Sequence, residues 1–181
     1  MALAMVVPAF PAHAAATGRG AAAAVESLTK IMHPPGRHPV GTDCTKALLF
    51  GLRAKTLRAR IFCAKTTGKD IAVWGYQFDS RRHYLAGVKH MNSYTRFSTL
   101  HPGATCPPGP GKVAGRVGWH AVSNPKYKSR PGQFIECFYD NRRPLLIWTM
   151  PTQHVLFISQ DHARHARIAT ILNWWKTVNF G

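Results

Sequence analysis

The stretch that decides the fold is Gln133–Ser159, QFIECFYDNRRPLLIWTMPTQHVLFIS. It holds three short apolar runs, Gln133–Tyr139, Pro144–Met150 and Gln153–Ser159. The polar cluster Asp140-Asn141-Arg142-Arg143 separates the first pair, and a Pro-Thr turn at Pro151-Thr152 separates the second. Each run is too short for a buried helix and is rich in β-branched and aromatic residues, so the stretch reads as a three-stranded meander.

Outward from it, Leu57–Ala64 alternates. Leu57, Ala59, Ile61 and Cys63 face one way, and Arg58 and Arg60 the other, which predicts a strand with one wet face. Ile71–Phe78 is apolar on both faces and reads as a central strand. The turn Thr66–Asp70 would join the two as a hairpin. Arg116–Val122 is a further short strand. Three helices are expected. The first runs over Ala21–Met32 with Val25, Leu28 and Ile31/Met32 on one stripe. The second runs from Arg81 to about Ser93, capped by Asp79 or Ser80, with Tyr84, Leu85, Val88 and Met91 toward the core. The third is capped by Asp161, with a stripe of Ile168, Ile171, Leu172, Trp175 and Val178. Trp74, Trp148 and Trp175 are expected to fill the core, and Trp174 to sit off the stripe. The predicted class is α+β: an antiparallel sheet of about five to six strands with helices packed on it.

The chain's 181 residues fit one domain, placed at 25–181. Ala2–Phe10 is apolar, and Ala12-His13-Ala14 has the small-x-small pattern of a processing site. A signal peptide is therefore expected at 1–14, followed by a flexible tail at 15–24. The apolar run is too short to span a bilayer, and no other segment reads as transmembrane. Export makes the four cysteines, Cys44, Cys63, Cys106 and Cys137, a disulfide framework. Of three connectivities, the sequential pairing Cys44–Cys63 and Cys106–Cys137 is favoured. Zinc is disfavoured because no C-x-x-C spacing occurs, and free buried thiols are the remaining alternative.

Lys and Arg number 24 against seven Asp and Glu, a formal net charge of +17. Such an excess attracts polyanions such as nucleic acid, anionic lipid or wall polymers. Basic and aromatic residues interleave at Arg58, Arg60, Lys126, Tyr127, Lys128, Arg130, Arg142 and Arg143. That pattern suits an extended polyanion, and these cations are the anion-binding candidates.

No catalytic set is identified. Asp70, Asp79, Asp140 and Asp161 fall at turns or caps, and Glu136 is expected to pair with an Arg. No G-x-S-x-G elbow is present. Gly109-Pro110-Gly111-Lys112 lacks phosphate-loop spacing, and no cofactor motif occurs. His162 and His165, at i, i+3 beside Asp161, are weak metal candidates that His120 or His154 would have to complete. A His-dependent hydrolase or nuclease built on those histidines is the alternative to a binding domain.

The ordered motifs resemble a cysteine-containing extracytoplasmic domain of actinobacteria. It is found in secreted proteins and as the outer, sensor-like part of membrane-anchored serine/threonine protein kinases. The resemblance runs through Asp43-Cys44-Thr45, Ala59–Cys63, Val73–Phe78, Gly103–Cys106, Gly132–Phe138, Leu146–Thr149 and Trp174-Trp175, over about residues 25 to 178. It implies paired cysteines, an extracellular place and a non-enzymatic, sensor-like role, and it carries no catalytic residues. The departures expected from the pattern are the absence of a kinase domain and of a membrane anchor, and a more basic charge.

Overall fold

A computed structural model describes residues 25–31, 42–65, 70–94, 105–106, 114–118, 131–140, 142–163 and 166–178. The expected signal peptide, the tail at 15–24 and the Pro-rich loop at 107–111 lie outside these residues.

Alternation along β2 (Leu57–Lys65) buries Ala59, Ile61 and Cys63 on one face. β3 (Ile71–Phe78) is buried on both faces because it lies inside the sheet, between β2 and β7 (Val155–Asp161). The predicted meander forms as β5 (Phe134–Asp140), β6 (Arg143–Met150) and β7. Two edge strands complete the sheet: β1 (Thr42–Thr45), read from sequence as loop, and β4 (Ala114–Gly118). The result is one antiparallel sheet of seven strands in the order β1-β2-β3-β7-β6-β5-β4. Two meanders, β1–β3 and β4–β7, meet where β3 pairs with β7.

Helices lie on both faces. Residues 25–31 form α1, whose Leu28 is fully buried, and α3 (Ile168–Val178) packs on the same face. α2 (Arg81–Tyr94) covers the other face with Tyr84 and Met91, beside Tyr76, Phe78, Ile147, Leu156 and Ile158. Both disulfides have the sequential pairing, Cys44–Cys63 and Cys106–Cys137. Among the described residues, no helix is long and apolar enough to cross a membrane.

Three readings need correction. Asp161 does not cap α3: it is the last residue of β7, paired with Ile71, and accepts the Ala163 N–H at 2.9 Å. The α3 stripe is about 160° wide, so Trp174 is buried at 3 % exposure and meets Trp148 edge-on. Leu85 is 47 % exposed, on the solvent side of α2.

Candidate anion-binding face

The sequence from Cys44 to Lys69 contains seven cations, Lys46, Arg53, Lys55, Arg58, Arg60, Lys65 and Lys69, and no Asp or Glu. The fold puts a definite part of that run beside α2. After β1 the chain leaves the sheet and crosses the α2 face. Ala47 and Leu52 are buried there. The Tyr76 hydroxyl, rising from β3, donates to the Leu48 carbonyl at 2.6 Å. Phe50 (φ 45°) and Gly51 (φ 79°) turn the chain, and the Leu52 N–H donates to the Leu49 carbonyl. A 3-10 turn at Ala54–Thr56 leads into β2.

The crossing segment is fastened to α2 at one place and to the turn just before it at another. His90 Nε2 lies 3.0 Å from the Phe50 carbonyl oxygen, and the Asp79 N–H donates to the Thr56 carbonyl at 3.2 Å. Lys46, Arg53, Lys55 and Arg58 are exposed along the segment and the start of β2, and Arg81, Arg82 and Lys89 along α2. Arg81 and Arg82 stand in the first turn of α2, which contains no acid. Their charge therefore adds to the positive end of the helix dipole, an arrangement that disfavours the helix alone and favours an anion nearby.

The acid just before α2 is already engaged. Asp79 Oδ1 and His83 Nδ1 are 2.5 Å apart. The His83 hydrogen bond holds the Asp79 carboxyl below its usual range, with help from Ser80 and the Arg58 charge against a desolvation penalty. Ser80 caps α2 by accepting the His83 N–H.

Beneath the segment, Arg60 is half-buried opposite Tyr76 in the β2–β3 ladder. β2 thus has no fully wet face: the side that carries Arg60 and Phe62 lies partly under residues 46–52. Burial pushes the Tyr76 hydroxyl well above its ordinary value, partly offset by the Arg60 charge. Phe62 pairs with Trp74 at 5.0 Å between ring centroids, and Phe50 meets Trp74 edge-on at 5.5 Å.

The other sequence candidates do not join this face. Arg142 and Arg143 occupy the β5–β6 turn, at the opposite end of the sheet from Arg58. Arg143 NH1 there lies 3.2 Å from His162 Nδ1. His162 follows β7 and is not on α3. His154 precedes β7 and packs near Tyr84. The seven-residue strand β7 lies between these two histidines, which its extended rise puts roughly 26 Å apart, so they share no site. Lys126, Lys128, Arg130, His120 and His165 lie outside the described residues. Among the described residues no three His, Cys, Asp or Glu side chains gather in a metal-binding group. Glu136, 1 % exposed, pairs with Arg116 at 3.1 Å as its strand position predicted, and the guanidinium stacks over Phe134.

Sequence reasoning missed Lys46, Arg53, Lys55, Arg81, Arg82 and Lys89 as members of one face. The signal was the acid-free run between Asp43 and Asp70. It also missed the Asp79–His83 pair, whose i, i+4 spacing at a helix start was visible. No family model, no curated protein and no solved structure matches the chain.

Proposed function

We propose that this chain is a secreted, non-catalytic binding domain of sensor-like type whose ligand is an anionic surface or wall polymer. The observation that carries the reading is the joining of the acid-free run to α2. Seven exposed cations, Lys46, Arg53, Lys55, Arg58, Arg81, Arg82 and Lys89, stand on the crossing segment, the start of β2 and α2, the segment is fastened to α2 and to the turn before it, and the neighbouring Asp79 is bound to His83. A rigid, single-signed face is what an extended polyanion needs, because each phosphate or carboxylate met releases counterions without cost in protein ordering. The two disulfides agree with an oxidising, extracytoplasmic setting, and the resemblance to extracytoplasmic sensor-like domains points the same way.

The test compares charge position with charge amount. Arg53→Gln/Lys55→Gln/Arg58→Gln and Arg142→Gln/Arg143→Gln/Lys176→Gln each remove three charges. On an anionic matrix, the first variant should elute at clearly lower salt than the second. Equal shifts would reduce the binding to bulk charge and remove this face as its site.

A further inference from the structure

We propose that the basic face also docks on an anionic phospholipid bilayer, with Leu85 and Leu48 entering the headgroup layer between the cations. This rests on the polyanion reading above, uses the same cations, and adds a lipid surface to what the face can meet. The outer stripe of α2 is the first observation. Tyr84, Gly87 and Met91 are buried toward the sheet. The exposed side chains described on this helix are Arg81, Arg82, Leu85, Ala86 and Lys89, which recur three and four residues apart as one helix face does. Leu85, 47 % exposed, therefore stands on the side away from the core, with Arg81 one turn before it and Lys89 one turn after. Residues 81–94 include no acid.

Leu48 is the second observation. It follows Lys46 on the crossing segment, which lies over the same sheet face as α2. Its carbonyl accepts from the buried Tyr76 hydroxyl, and Ala47 beside it is buried, so the backbone is held to the sheet while the Leu48 side chain is 71 % exposed. A lone exposed leucine is ordinary. Here two of the three exposed large hydrophobic residues among the described ones share the acid-free face, and the third, Val25, is on α1 across the sheet. Core packing accounts for neither leucine. A soluble polyanion is held through its charges and gains nothing from them. Bases of single-stranded nucleic acid stack on aromatic rings, which they lack. An anionic bilayer presents a plane of phosphates with hydrocarbon beneath, so it takes cations and aliphatic side chains in one approach. The long stems of Arg and Lys keep their charged ends at the phosphates while the leucines go deeper. The crossing segment and α2 are joined side by side over one sheet face, so both present their outer surface on the same side of the domain, as a planar ligand requires.

The experiment pellets the full chain with vesicles of equal parts phosphatidylglycerol and phosphatidylcholine and with vesicles of phosphatidylcholine alone, and titrates it with linear polyphosphate, all at one ionic strength. Wild type is expected to pellet with the mixed vesicles and to stay in solution with phosphatidylcholine. Leu48→Ser/Leu85→Ser should weaken vesicle partition about tenfold and polyphosphate binding less than about twofold. Leu85→Trp, bound to mixed vesicles, should be quenched by acyl-brominated lipid more strongly than wild type. Unchanged vesicle binding in the double leucine variant, equal losses on vesicles and polyphosphate, or no added quenching in Leu85→Trp would overturn the entry of the leucines and leave a face that works by charge alone. Equal pelleting with phosphatidylcholine would overturn the role of the cations in docking. Wild-type protein that binds polyphosphate and neither vesicle would overturn bilayer docking and leave the polymer as the ligand. Wild-type protein that binds neither polyphosphate nor vesicles would overturn the polyanion reading itself.

Discussion

The hydroxyl of Tyr139, on β5, accepts the backbone N–H of Ile168 at 3.3 Å and so serves as the cap of α3. The first N–H groups of a helix need an outside acceptor, normally the side chain just before it. Here a residue 29 positions earlier in sequence supplies it. Tyr139→Phe keeps the ring and removes the acceptor. It should cost about 1 kcal/mol in chemical denaturation and speed amide exchange at Ile168 while leaving the β-sheet amides protected. An unchanged exchange rate at Ile168 would show that the cap contributes nothing.

That contact also shows where reading the sequence stops. The strands were legible because alternation in Leu57–Ala64 and the turn-bounded runs of Gln133–Ser159 are local signals. The disulfide pairing was legible from chain order. Asp161 has the composition of a cap, yet strand pairing with Ile71 claims it, and no local pattern reports a strand partner ninety residues away. Trp174 was misjudged because a stripe drawn from spacing takes the narrowest arc, whereas the partner surface around Trp148 accepts a wider one. The basic face was half-legible: the acid-free run is in the sequence, but its fastening to α2 through His90 and to the turn before it through Asp79 is tertiary.

Glu136 and Arg116 make stability depend on pH in a definite direction. Burial raises the Glu136 carboxyl above its ordinary range, and Arg116 offsets part of that. A carboxyl raised on folding binds protons in the native state that the unfolded chain has released. Its contribution is therefore fully present below the unfolded value and declines as pH rises through the folded one. Removing the cation enlarges the effect. Arg116→Ala should cost about 2 to 4 kcal/mol at pH 8, because it strands a buried carboxylate, and clearly less at pH 5. Glu136→Gln should flatten the same interval. Urea midpoints at the two pH values measure both, and an Arg116→Ala penalty equal at pH 5 and pH 8 would contradict the pair's role.

The disulfides close loops of different length. Cys44 and Cys63 are 19 positions apart, Cys106 and Cys137 31. On the loop-entropy model their removal costs about 3 and about 4 kcal/mol respectively. Cys44→Ser/Cys63→Ser frees the four-residue edge strand β1, where the crossing segment begins. It should therefore reduce retention on an anionic matrix, whereas Cys106→Ser/Cys137→Ser should lower stability alone. Denaturation midpoints paired with salt elution separate the two effects. Equal loss of retention in both would indicate that the basic face depends on global stability only.

Gly51 tests whether the crossing segment's conformation sets the anion-binding face. Its φ of 79° lies where a side chain is strained, and a Cβ there would stand 2.8 Å from His90 Nε2. The same imidazole contacts the Phe50 carbonyl, so the displacement acts on the fastening itself. Gly51→Ala should therefore destabilise by about 1 kcal/mol or more. It should also lower the salt at which the protein leaves an anionic matrix, although no charge changes. A variant of equal instability placed in α3, such as Ile171→Val, at about 1 kcal/mol, should elute with wild type. Bulk charge predicts identical elution for all three proteins. A face held in shape by Gly51 and His90 predicts that Gly51→Ala alone moves.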